Sequence, residues 1–95
     1  MKFITLIEFT ALGIQDIGKS TTRAAAFKKQ AEKAGVEISE MLWLCGRFDG
    51  LIVYDAPDAE TASAVMLQLS KTGNVKTETH VAFDSAGMER VLAHA

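Results

Sequence analysis

Ninety-five residues, 48% of them hydrophobic, supply one core and no second one, so residues 1–95 are read as a single domain. Ten basic residues against twelve acidic ones leave a formal charge of -2, which gives no electrostatic footprint for nucleic acid or an anionic membrane surface. No apolar run reaches the roughly 18 residues of a membrane span, Thr5 and Glu8 interrupt the N-terminal "MKFITLIEFT", and a cytoplasmic location is expected.

A single cysteine, Cys45, cannot pair within the chain, and two histidines, His80 and His94, make no metal-ligand spacing with it. Neither a metal nor a cofactor is expected.

The β-branched and apolar run "KFITLIEFT" predicts a strand over residues 2–10 with both faces covered. "TTRAAAFKKQAEKAG" then places Ala24, Phe27, Ala31 and Ala34 at helical spacing, with lysines opposite and Gly35 as the stop. Next come "VEISEMLWLCG" and "RFDGLIVYDAP", two strands joined at Gly46-Arg47, where a glycine with positive φ suits a two-residue hairpin turn. This register sets Cys45 opposite Phe48, Trp43 opposite Gly50, Met41 opposite Ile52 and Ser39 opposite Tyr54 on one face. Ile38, Leu42, Leu44, Leu51 and Val53 share the other face with Glu40 and Asp49.

A second helix follows, capped by Asp58 and presenting Ala62, Val65, Met66 and Leu69 before Gly73 ends it. "NVKTETHVAF" alternates as a fourth strand, with Val75, Thr77, Thr79, Val81 and Phe83 on one side and Lys76, Glu78 and His80 on the other. Ser85 is read as the cap of a short closing helix through Met88, Val91 and Leu92. The order βαββαβ plus this C-terminal helix predicts an α+β, ferredoxin-like domain whose four-stranded sheet carries helices on one face. Because both faces of the strands are apolar, the uncovered face is expected to meet a second copy of the chain.

"GIQDIGKST", residues 13–21, matches the phosphate-loop pattern G-x-x-x-x-G-K-S between a strand and a helix. The match is set aside on physical grounds. Its interior is Ile-Gln-Asp-Ile where backbone must approach phosphate closely, and Asp16 places an anion where anions would bind. The acid-terminated strand "LIVYD" follows a hairpin and pairs antiparallel, whereas the nucleotide fold needs parallel strands joined by crossovers. Gly13 is read instead as a turn residue, Asp16 or Ser20 as a helix cap, and Lys19 as a solvated charge.

Once these elements are placed, residues 3–83 resemble the GYD family, small bacterial proteins related to dimeric α/β-barrel domains. The resemblance rests on "EFTALGI" after the first strand, Arg23, Gly35, the hairpin "WLCGRFDGLIVYDAPD" and "GNVKTETHVAF". Phe48 stands where that family usually has tyrosine, and Phe9 where it has an aromatic residue, often tryptophan, before threonine. The resemblance implies a ferredoxin-like dimer and assigns no general activity.

Several residues are candidates for chemistry, each with a structural alternative. Asp49, after the turn and among leucines, is either a carboxylate held for proton transfer or ligand binding, or an acid that accepts backbone hydrogen bonds. Glu8 poses the same question, with an ion pair to Arg23 or a lysine as its structural role. His80 has the titration range for acid-base work, or is a surface residue beside Lys76 and Glu78. Arg23 opposes the dipole of the helix it opens, so it needs an acidic partner or an anionic ligand. Trp43 and Tyr54, with Met41 and Phe48, form a face suited to a dimer interface or to a pocket for an apolar ring. Cys45 has no activating base nearby in sequence.

Two functional classes follow: a homodimeric small-molecule-binding or structural module, and, by fold-level analogy, a cofactor-independent monooxygenase- or isomerase-like enzyme acting on a small aromatic or carbonyl compound.

Overall fold

The computed structural model describes residues 1–95. Four antiparallel strands form one sheet: β1 (Lys2–Phe9), β2 (Glu37–Trp43), β3 (Gly50–Asp55) and β4 (Val75–Ala82), in the spatial order β2-β3-β1-β4. With the helices α2 (Ser20–Lys33) and α3 (Ala59–Ser70) as crossovers, this is the expected ferredoxin-like βαββαβ arrangement. A short helix α1 (Ala11–Gln15) and a single 3₁₀ turn (Ile17–Lys19) lead into α2, and α4 (Ser85–His94) closes the chain.

Strand periodicity sorts the sheet into two unlike faces. Phe3, Thr5 and Ile7 of β1, Ile38 of β2, Ile52 and Tyr54 of β3 and Val75 of β4 are buried, and the apolar ones among them pack with Phe27, Ala31, Ala62, Val65 and Met66 of the helices. Full burial of each large apolar side chain here contributes about 1.5–3 kcal/mol, and the small Ala31 and Ala62 let the helices approach the strands closely. Phe3 and Tyr54 stack with their ring centroids 5.7 Å apart. The opposite face carries Ile4, Leu6, Leu42, Leu51 and Val53, none of which is buried.

The covered face is the one that carries Met41, Trp43 and Tyr54, so of the two readings of this face the dimer interface is the one that does not hold. Helix packing settles it: Tyr54 is fully buried and Met41 packs against the core. A β-bulge adds a second correction. Met41 pairs with Ile52 and Trp43 with Gly50 as expected, but the register shifts between Ile38 and Glu40. Ile38 therefore sits opposite Tyr54 and points into the core, while Glu40 sits opposite Val53 on the uncovered face.

The expected two-residue turn at Gly46-Arg47 does not form. Strand pairing stops at Trp43 and Gly50, Leu44 N–H donates to the Asp49 carbonyl at 2.8 Å, and Gly46 does not have positive φ. The positive-φ glycines are Gly35 (+86°) and Gly73 (+83°), at the ends of α2 and α3, where both were expected as stops.

Two caps also differ from expectation. Asp84, not Ser85, caps α4 through a 2.7 Å bond from Gly87 N–H. Neither Asp16 nor Ser20 caps α2: Ser20 is its first residue and accepts from the Trp43 indole, while Lys19 occupies the cap position with no side-chain bond. Asp58 caps α3 as expected, accepting from Thr61 N–H at 2.7 Å. "GIQDIGKST" thus folds as the end of α1, the 3₁₀ turn and the start of α2, beside a β3 strand antiparallel to both of its neighbours.

Gly13 is more than a turn residue. A Cβ there would lie 2.0 Å from the Asn74 carbonyl oxygen, because α1 presses against the backbone that enters β4. Thr10 secures the same junction. Its hydroxyl accepts from Gly13 N–H and donates to the Gly73 carbonyl at 2.6 Å, and its N–H donates to the Asn74 carbonyl at 3.0 Å.

Candidate functional site

A cleft of about 280 Å³ lies between the two long helices over one end of the sheet. Its floor is Ile7, Phe9, Gly50 and Ile52 from the central strands, and its walls are one face of α2, the end of α3 and the last residues of β2. On α2 the lining residues Ser20, Arg23, Ala24 and Phe27 recur at intervals of three and four, which is why they share one face. Gly50 is fitted closely to the floor, since a Cβ there would meet Ile7 Cβ and the Leu42 carbonyl oxygen at 3.3 Å.

Two charged residues interrupt the apolar lining, Arg23 and Asp49. Arg23 answers the helix-dipole argument with an acidic partner outside its own helix. Its Nη1 donates to the Asp16 carbonyl at 2.9 Å and lies 3.9 Å from the Asp16 carboxylate. Its Nη2 is buried and has no hydrogen-bond partner. Trp43 closes the wall with its indole N–H donating to Ser20 Oγ at 3.2 Å.

Asp49 is bound into the backbone. Its N–H donates to the Ile7 carbonyl and its Oδ2 accepts from Phe9 N–H, both at 2.8 Å, so it joins the 44–49 loop to the end of β1. That geometry corresponds to the backbone-accepting alternative for this residue.

The remaining candidates lie elsewhere. Tyr54 is in the core beside Phe3, with its hydroxyl 2.8 Å from Thr5 Oγ1, and does not line the cleft. His80 and Glu8 are exposed on the uncovered face of the sheet. His80 Nε2 lies 2.8 Å from Glu78 Oε2, and Glu8 sits opposite Lys76 in the β1–β4 register. Glu8 and Arg23 are thus on opposite sides of the sheet, so the expected ion pair between them is not made. Cys45 is exposed in the 44–49 loop. The structure brings Arg23, Trp43 and Asp49 together and separates them from His80, Glu8 and Tyr54.

Sequence reasoning missed Phe9, Ser20 and Leu69 as lining residues. Ser20 and Phe27 were within reach of the helical period of α2. Phe9 and Leu69 reach the cleft from distant elements, β1 and α3, and that meeting leaves no local signal.

A single layer of helices over an antiparallel sheet, with a helix-lined cleft and an apolar reverse face, defines a small ferredoxin-like α+β domain. The family model described as "GYD domain" matches residues 3–92, and the chain belongs to this family. Among curated proteins it is similar to the glutamine synthetase and cystathionine beta-lyase binding protein of Thermus thermophilus, 32% identical over 78 residues that span 81% of this chain and 82% of that protein. No solved structure matches.

Proposed function

We propose that this protein is a homodimeric binding module that recognises other proteins. The observation that carries the reading is the uncovered sheet face, where Ile4 and Leu6 of β1, Leu51 and Val53 of β3 and Leu42 of β2 form one apolar field ringed by charged residues. A sheet with one face under helices and the other apolar completes its burial by packing on a second sheet, and a two-fold pair of identical faces is the simplest way to do so. The curated relative is named for binding two enzymes, which supports protein recognition as the shared activity and makes glutamine synthetase the first partner to test.

The test has two arms. Light scattering on the purified protein gives the mass of a dimer, and Leu6→Glu, which places a carboxylate in the middle of the apolar field, gives a folded monomer. Immobilised protein captures purified glutamine synthetase from the same organism and does not capture an unrelated enzyme of equal charge. A wild-type monomer at micromolar concentration would remove the shared-sheet assembly, and the lack of binding to either enzyme named for the relative would remove the recognition reading.

The enzyme reading rests on the cleft, where an apolar pocket meets Trp43, Arg23 and Asp49. His80 and Glu8 lie across the sheet from it, and the Asp49 carboxylate is engaged by a backbone amide. Binding is therefore the better-supported use of this cleft.

A further inference from the structure

The cleft between α2 and α3 has a chemistry of its own, independent of any protein partner. Its lining is mostly apolar, with Phe9, Phe27, Met41, Trp43 and Leu69 among the side chains around it. At about 280 Å³ it stands at the lower end of small-ligand sites, which run from about 300 to 1,000 Å³. One cationic side chain, Arg23, reaches its wall with half of its guanidinium satisfied. Nη1 is tethered to the Asp16 carbonyl and lies 3.9 Å from the exposed Asp16 carboxylate, and the buried Nη2 has no acceptor.

A buried guanidinium N–H without an acceptor is costly, more so than a neutral donor, and a carboxylate is the acceptor whose planar geometry matches the fork. We infer that the cleft binds a small monocarboxylic acid with an apolar body, its carboxylate on Arg23 and its hydrocarbon or ring between Phe27 and Trp43. A turn of the guanidinium about its Nη1 tether brings Nη2 to the ligand.

Asp49 limits the class. Its carboxylate lines the same cleft, and although Phe9 N–H engages Oδ2, a second negative charge on the ligand would meet it across an apolar, weakly screening site. The site therefore takes one carboxylate and selects against diacids. Ser20 is already occupied by the Trp43 indole, so recognition rests on the charge and on apolar fit.

Trp43 is the single tryptophan of the chain, so its fluorescence reports on this cleft directly. Wild-type protein is titrated with phenylacetate, hexanoate, phenethyl alcohol, phenethylamine and succinate. At least one of the two monoacids changes the Trp43 emission saturably at millimolar concentration or below. The alcohol, the amine and the diacid bind about tenfold more weakly or not at all, as loss of one charge-assisted contact requires.

Arg23→Gln removes the charge and lowers monoacid affinity by a similar factor, while Ala24→Phe fills the cleft and abolishes the response without altering the guanidinium. Equal binding of acid and alcohol, an unchanged response in Ala24→Phe, or silence from both monoacids overturns the inference. The head-group series needs only the wild type, so it decides the matter even if a variant fails to fold. Dimer mass and partner capture are measured on the same preparation without ligand, so failure of this site is distinguishable from failure of the binding-module reading.

Discussion

Thr5 is the one polar residue of the core, fully buried in the middle of β1, and its hydroxyl joins two others. It lies 2.8 Å from Tyr54 OH and 2.9 Å from Thr79 Oγ1, a chain of hydroxyls crossing three strands beneath the helices. The cost of breaking it depends on which end is removed. Tyr54→Phe leaves Thr5 paired with Thr79 and should cost about 1 kcal/mol in urea unfolding, whereas Thr5→Val strands the buried Tyr54 hydroxyl and should cost up to about 3 kcal/mol. The double variant should be less destabilised than the sum, since the partner of each is already gone. Equal costs for the two single variants would show that the chain does not act as a unit. Asp58 makes the same point at the surface, through charge. The Thr61 backbone N–H, and then its side chain, favour the ionised form and hold the Asp58 carboxyl below its ordinary value of 3.8. A lowered folded value means that the cap stabilises the protein above the unfolded value and loses that contribution as pH falls through the folded one. The melting-temperature gap between wild type and Asp58→Ala should therefore be constant from neutral pH to about pH 5 and close below about pH 4. A gap that persists unchanged at lower pH would assign the effect to something other than the carboxylate.

The helices differ in how firmly they are held, and that difference follows from what each one buries. α3 carries a side-chain cap and buries Ala62, Val65 and Met66, and α2 buries Phe27 and Ala31. α4 buries only Gly87, while Met88, Val91 and Leu92 remain exposed. Ten residues without an apolar anchor are marginal as a helix in water, so the Asp84 cap carries much of its local order. In the Leu6→Glu variant, where a partner subunit cannot cover it, α4 should exchange its amide hydrogens well before α2 and α3 by mass spectrometry. Protection equal to that of α3 would mean that α4 packs more tightly than its exposure indicates. The elements themselves were legible because strand alternation, helical spacing and the stops at Gly35 and Gly73 are local signals. What was not legible depends on contacts between distant segments. The bulge between Ile38 and Glu40 turns Ile38 inward opposite Tyr54, the Asp49 bonds to Ile7 and Phe9 open the hairpin turn into the 44–49 loop, and α1 forms where Gly13 meets Asn74. The same limit applied to the site. Arg23 and Trp43 were recognised singly, but their meeting in the cleft with Asp49, and the burial of Tyr54 away from it, are set by how α2 and α3 cover the sheet.

At the scale of the whole molecule the protein is one sheet under one layer of helices, with the other sheet face open. Its Cα atoms span 47 × 30 × 18 Å, and the radius of gyration of 14.1 Å exceeds the roughly 12 Å of a compact domain of this length. The thin dimension is one helix layer on one sheet, so the proposed dimer would double it by joining the two uncovered faces. Each face brings charge as well as leucines. Lys2 and Lys76 stand against Glu8, Glu37, Glu40, Asp55 and Glu78, two positive side chains against five negative, a net of -3 with His80 neutral. Lys2 is already drawn to Asp55 at 3.9 Å, which leaves the excess negative charge at Glu37 and Glu40 on the β2 edge and at Glu8 near the end of β1. Two such faces attract through their apolar centre and repel through their rims. Apolar burial is insensitive to moderate salt, whereas repulsion between exposed charges is screened once the Debye length falls to about 8 Å at physiological ionic strength. The dimer should therefore tighten as sodium chloride is raised from low millimolar to physiological concentration, the reverse of an interface held by ion pairs. Glu40→Gln, which removes one rim carboxylate from each subunit without touching the leucines, should reproduce part of that gain at low salt. Sedimentation equilibrium across the salt series reads both effects, and a dimer that weakens with salt would place its contact on a different surface from this sheet.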